Sequence, residues 1–173
     1  MNERVRDIAR IAMVLAIVCL MAQLSFNIGF LVPLSMHTAG VLLAGIILGP
    51  KKAAICMLCY AVLGAVGFPV FSFGRAGLGM IFGNTGGFIS GFIPGAAIIG
   101  LASKQKNLAL TYLVAIAGIA VSYVIGVLQF SFVTSSTLPA AFTLAAAPFL
   151  PMETVKIALF VPLALRVHKA LNQ

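Results

Sequence analysis

Residues 148–169, PFLPMETVKIALFVPLALRVHK, form an apolar run long enough for a membrane helix, yet Glu153 and Lys156 stand in its first turns. Each such charge costs about 2.5–3.5 kcal/mol in a membrane span on insertion scales, so a span carrying both has a use for them. Three residues apart on a helix, the two side chains lie about 60° apart in azimuth and about 4.5 Å apart along the axis, so both reach one pocket. A buried charge without a partner is neutralised or expelled, whereas a facing pair persists and offers a ligand one acceptor and one donor. The pair is read here as the centre of a binding site; the plainer alternative is a structural salt bridge with no ligand.

The rest of the chain is as apolar as this run. Of 173 residues, 62% are hydrophobic and 8% charged, with a mean hydropathy of +1.16. A soluble domain of this size cannot hide that much apolar surface, so the solvent is lipid. Six spans of about 20 residues use about 120 residues and leave only short connections. The expectation is an all-α membrane protein, a single six-helix bundle over residues 1–173. A net charge of +8 would suggest nucleic acid for a soluble protein. Here the basic residues fall between apolar runs and read as topology signals. The run 8–24 follows a basic stretch, lacks a small-residue cleavage pattern and has further spans behind it, so it is expected to be a retained helix.

Read in order, the first helix covers 8–26, with Ala12 and Ala16 as a small-xxx-small step that admits close approach of another helix. After a break at Asn27, Gly29 and Pro33, a short second helix within 34–49 opens with Ser35, His37 and Thr38. Lipid would leave these polar groups unsatisfied, so they are expected to face the bundle interior. GPKK, 49–52, turns the chain into a third helix over 53–70. The fourth covers 86–102, with Gly87, Gly91 and Gly95 forming a groove for a neighbour. The fifth covers 108–130, with Tyr123 and Gln129 as its polar exceptions, and the sixth is the opening run. Between the third and fourth helices lies FPVFSFGRAGLGMIFGNTGGF, 68–88, a glycine-rich outer loop with Arg75 in its middle and amides able to meet an anion or a polar ring. TSSTLPAAFTLAAAP, 134–148, is expected to hold a short hairpin or half-helix.

Several chemistries are excluded. GIILGPKK is no P-loop, because it has three residues between its glycines where Walker A has four, and it ends in Lys-Lys. Cys19, Cys56 and Cys59 lie in apolar runs and read as packing residues, and no metal site is expected. With no activated serine or cysteine and no acid pair, the chain is not expected to be an enzyme or to hold a cofactor. No inverted repeat is evident, which counts against a secondary transporter driven by an ion gradient.

With six spans and an internal amino terminus, Arg4, Arg6, Arg10, Lys51, Lys52, Lys104, Lys106, Arg166 and Lys169 fall inside, nine of the eleven Lys and Arg residues. The exceptions, Arg75 and Lys156, join Glu153 at the outer level. Two cations and one anion match a small monoanion whose carboxylate meets a cation and whose N–H groups meet the glutamate. Phe68, Phe71, Phe73, Phe82 and Tyr123 are available as apolar lining.

Four stretches then carry a resemblance: PLSMHTAGVLLAGIILGPKKAA (33–54), CYAVLGAVGFPVFSFGRAGLGMIFGNTGGFISGF (59–92), VSYVIGVLQF (121–130) and PFLPMETVKIALFVPLALRV (148–167). In this order they resemble successive blocks of the BioY family, the biotin-binding S components of energy-coupling factor (ECF) transporters. The resemblance implies a six-helix protein of the prokaryotic cell membrane, both termini cytoplasmic, that captures biotin from outside. Its partners would be membrane lipid and an ECF module of two ATPases and a transmembrane T component. The family's acid-x-x-Lys motif matches Glu153 and Lys156, its glycine-rich loop matches 74–87, and its small-residue docking face is similar to Ala12 and Ala16. The expected ligand-contacting set is Glu153, Lys156, Arg75, Asn84, Thr38, His37, Tyr123 and Gly86. The family usually has Asp at Glu153, Gln at His37 and Pro at Asn84, departures that bear on pocket geometry. A precursor such as dethiobiotin keeps the same two ends as biotin, and a stand-alone secondary transporter of biotin or a related small carboxylate is the alternative function.

Overall fold

Lipid cannot satisfy backbone N–H and C=O groups, so a chain this apolar must pair them internally, and helices do this within one segment. The structure is a computed structural model and describes residues 2–26, 32, 34–105 and 107–171. Among these are eight α-helices: α1 (Glu3–Gln23), α2 (His37–Leu48), α3 (Pro50–Ala65), α4 (Leu78–Phe82), α5 (Gly86–Gly100), α6 (Leu108–Thr134), α7 (Leu138–Ala145) and α8 (Leu150–Leu171). One antiparallel pair of two-residue strands, β1 (Ser25–Phe26) and β2 (Leu34–Ser35), joins the end of α1 to the start of α2. The expected break at Asn27, Gly29 and Pro33 lies outside the described residues, as does Lys106.

The six helices expected from sequence correspond to α1, α2, α3, α5, α6 and α8. The glycine-rich stretch is more structured than a plain loop, because it folds into a 3-10 turn (Ser72–Gly74) and the one-turn helix α4. Three segments are long and apolar enough to cross a membrane: Gly86–Lys104, Leu108–Thr134 and Leu138–Leu171. α1 carries Glu3, Arg4, Arg6, Asp7 and Arg10 in its first turns, and α2 and α3 have only 12 and 16 residues.

α2 sits at the centre, with every residue from His37 to Ile46 buried. Its apolar surface has no polar side, which suits a helix enclosed by neighbours all round. At 12 residues it is about 18 Å long, well short of the roughly 30 Å hydrocarbon core, so its amino end stops inside the bundle. The Gly49 turn (φ 76°) then reverses the chain into α3, with Pro50 in the first turn of that helix.

The basic residues collect at one end. Lys52 Nζ meets Asp7 at 2.6 Å, tying α3 to the start of α1, and the Arg10 guanidinium donates to the Leu171 carbonyl at the end of α8. The ends of α2 and α5 reach the same level, where Gly100 abuts Gly49 and Pro50. Arg75, Glu153 and Lys156 lie on segments at the opposite end.

α5 and α6 form the most extensive helix pair, and α6 fills the groove of Gly87, Gly91 and Gly95. Ser122 Oγ on α6 donates to the Gly91 carbonyl at 3.0 Å and to its own Gly118 carbonyl at 3.1 Å. A Cβ on Gly95 would stand 2.1 Å from Ser122 Oγ and 2.8 Å from the Gly118 carbonyl oxygen. Gly95→Leu is therefore expected to destabilise the fold by about 1–3 kcal/mol through overpacking. A lowered midpoint of thermal unfolding in detergent checks this.

Candidate functional site

Where α2 stops short, its amino end faces the first turns of α8, and this junction brings the buried charges together. Glu153 and Lys156 are 4% and 3% exposed, with Lys156 Nζ 2.7 Å from Glu153 Oε1. Lys156 Nζ also donates to Thr38 Oγ1 at 3.1 Å and to the Ser35 carbonyl at 2.5 Å. An ammonium has three donors, so the protein itself uses all of them. Thr38 Oγ1 in turn donates to Glu153 Oε1 at 3.0 Å. The other carboxylate oxygen, Glu153 Oε2, is buried and makes no hydrogen bond of normal geometry among the described residues, although the Tyr123 hydroxyl stands close enough to interact with the carboxylate. The two charges thus have different capacities: the lysine is saturated and holds the glutamate in place, and the glutamate keeps an acceptor without such a bond.

That pair lines a cavity with about 700 Å³ of free space, the open solvent at its mouth included. α2 contributes His37 and Thr38, α6 contributes Tyr123, and the segment after α3 contributes Phe71, Ser72 and Arg75. Both His37 ring nitrogens are engaged. Nδ1 meets Ser35 Oγ at 2.9 Å and Ser72 Oγ at 3.4 Å, and Nε2 meets the Tyr60 hydroxyl. What His37 presents to neighbours is its ring, stacked on Phe92 with centroids 5.7 Å apart. Arg75 stands at the exposed rim, its guanidinium 5.9 Å from the Phe73 ring centroid. Among the described residues it has no carboxylate partner. One end of the cavity therefore offers an acceptor and the other a cation.

Of the residues expected to line a site, Glu153, Lys156, Arg75, Thr38, His37 and Tyr123 come together here, and Asn84 and Gly86 do not line this cavity. Thr85, between them, does. Gly86 is needed for close approach instead: a Cβ there would meet the Ile81 carbonyl oxygen at 1.7 Å. Among the candidate aromatics, Phe71 lines the wall while Phe68, Phe73 and Phe82 are exposed. Phe88, Phe92 and Phe149 complete the wall and were not singled out from sequence. Ala12 and Ala16 are exposed on α1. A second hollow, larger at about 1250 Å³ on the same count, lies between α6, α7 and α8, is almost wholly apolar, and shares Tyr123 and Glu153 with the first.

The family model described as the BioY family matches residues 1–173. The chain belongs to the BioY family. Among relatives, this BioY-family chain is 35% identical over 166 residues to the probable biotin transporter BioY of Pyrococcus horikoshii, spanning 95% of this chain and 98% of that one. It is 35% identical over 143 residues to the biotin transporter BioY of Rhodobacter capsulatus, 75% of each chain. It is 30% identical over 165 residues to the biotin transporter BioY of Thermotoga maritima, covering 95% and 96%. All three are named as transporters rather than enzymes. The fold matches the crystal structure of the S-component for biotin from an ECF-type ABC transporter, with a TM-score of 0.89, 24% identity and coverage of 98% of this chain and 95% of that one.

Removing one member of a buried ion pair leaves the other uncompensated. Lys156→Met is expected to destabilise the protein by about 3–5 kcal/mol. Replacing both, Glu153→Met with Lys156→Met, is expected to recover most of that loss, because paired removal leaves no buried charge. Thermal unfolding of the two variants side by side checks the difference.

Proposed function

We propose that this chain is the biotin-binding membrane subunit of an ECF-type vitamin importer. The observation that carries this reading is Glu153 Oε2, a buried acceptor without a hydrogen bond of normal geometry, in a cavity whose rim holds the Arg75 cation. A ligand that fits has N–H donors at one end, a carboxylate at the other and an apolar body between. Biotin has a ureido ring with two N–H groups, a thioether ring, an aliphatic chain and one carboxylate. The named function of the relatives supports the same ligand.

In this reading Glu153 accepts from a ureido N–H, which the buried setting strengthens because water does not compete there. Lys156 takes no direct part in the contact. Together with Thr38, it fixes the orientation of the carboxylate through their hydrogen bonds to Glu153 Oε1. The ring of His37 together with Phe71, Phe88 and Phe92 encloses the apolar body, and Arg75 meets the tail carboxylate at the mouth. The segment 68–88 closes over the outer side as a lid.

The membrane arrangement follows the distribution of charge. α1, α2, α3, α5, α6 and α8 are the six spans, with the basic end of the bundle and both termini in the cytoplasm and the cavity opening outward. Ala12 and Ala16, exposed on α1, form a smooth strip on which a helix of the T component docks. Two ATPase subunits complete the assembly, since this chain has no phosphate-binding loop of its own.

The double variant Glu153→Met with Lys156→Met separates binding from folding. It is expected to stay folded while losing biotin affinity by about 100-fold or more, the scale of losing hydrogen bonds to a charged group. Titration of detergent-purified protein with biotin checks this, and an unchanged affinity would remove the pair from the site. Uptake by proteoliposomes containing this chain alone, collapsed by an ionophore, would replace the ECF reading with an ion-driven transporter.

A further inference from the structure

We propose that Gln23 and Gln129 are two clasps that hold the segment 69–83 over the ligand cavity, acting as positioning residues for Arg75, Met80 and Thr85. This rests on the reading that the cavity takes the ligand. Gln23 is the last residue of α1 and is exposed. Its Nε2 donates to the Pro69 and Phe71 carbonyls, both at 3.2 Å, and its Oε1 accepts from the Gly74 amide at 2.9 Å. One side-chain amide thus spends both donors and its acceptor on the backbone just before Arg75. Gln129, on α6, grips the segment from the other side with its donors: its Nε2 donates to the Ile81 carbonyl at 2.7 Å and the Gly83 carbonyl at 3.1 Å. These carbonyls lie between Met80 and Thr85, both of which line the cavity.

The chemistry suits a reversible closure. Outside regular helix, the backbone of this segment needs partners from elsewhere, and a glutamine amide serves two carbonyls at once. Other fasteners on the segment come from fully buried side chains: the Tyr60 hydroxyl donates to the Val70 carbonyl at 3.0 Å, and the Phe71 ring seats on Gly64. Those make a fixed root. The Gln23 bonds are exposed or part-buried, where water replaces a broken bond at small cost, so they open first. Within the Gln23 clasp the chain also holds Phe73 at φ 61°, a left-handed conformation that a non-glycine residue keeps only when its surroundings impose it. Because the clasps come from α1 and α6, the segment is strapped across the bundle, and releasing either end frees one half of the cover.

The test compares biotin dissociation from the unaltered chain with that from Gln23→Ala, Gln129→Ala and the isosteric Gln129→Glu, which keeps volume but turns a donor into an acceptor facing two carbonyls. Each is expected to raise the dissociation rate by about tenfold, with association and ligand-free melting little changed. If Gln23 acts through Arg75, adding Gln23→Ala to Arg75→Ala produces no further acceleration. Dissociation within twofold of the unaltered chain in the alanine variants, an unaltered rate in Gln129→Glu, or additive effects at Gln23 and Arg75 would overturn the proposal while leaving the biotin reading intact. Failure of the unaltered chain to bind biotin would instead sink that reading. Amide exchange at Gly74 without ligand, expected to quicken in Gln23→Ala, then decides the clasp by itself.

Discussion

The structure depends on housing the Glu153 carboxyl and the Lys156 amine side by side in an apolar interior. A single Glu or Lys at this depth would be costly, and the pair alone would still leave hydrogen-bonding groups unmet. The surroundings resolve this almost completely. The Ser35 carbonyl and the Thr38 hydroxyl complete the lysine, and one glutamate oxygen is served twice. What is left is a single acceptor. Such a residue is costly to a stability-only design and useful to a binding protein, because a ligand that supplies the missing donor gains a bond the protein had already oriented.

The rest of the bundle can be understood as support for that junction. Central α2 is walled by helices that approach closely at small residues: Gly40 against Val18, and Gly45 against Ile99 and Ala96. α5 and α6 meet with glycines facing Ser122, so the wall bearing Tyr123, Phe88 and Phe92 is rigid. The polar ends of the helices are tied together at the far side by Asp7 with Lys52 and Arg10 with Leu171.

Much of this was legible in the sequence, for physical reasons. Charges in an apolar run are conspicuous, so Glu153, Lys156 and Arg75 stood out, and the helices followed from uninterrupted hydropathy broken by Gly, Pro and Lys. Ser35, His37 and Thr38 stood out because lipid cannot satisfy them. The aromatic walls did not. Phe88, Phe92 and Phe149 look the same in sequence as the exposed Phe68 and Phe82, since which side of a helix faces the cavity is set by packing. The saturation of Lys156 hinges on a backbone carbonyl, which no pattern of side chains reports. α4 is too short to leave a periodic signal, and Asn84 and Gly86, expected from resemblance, stand beside the cavity lining rather than in it.

The brevity of α2 sets the dimensions of what the protein can hold. A helix that crossed the whole bilayer would run about 12 Å further than this one does, roughly two more turns, and its side chains would occupy the room where the cavity is. The cavity begins where α2 does, with His37 and Thr38 of its first turn in the lining. A turn inserted ahead of His37 would shift that lining relative to Glu153 and Lys156 on α8.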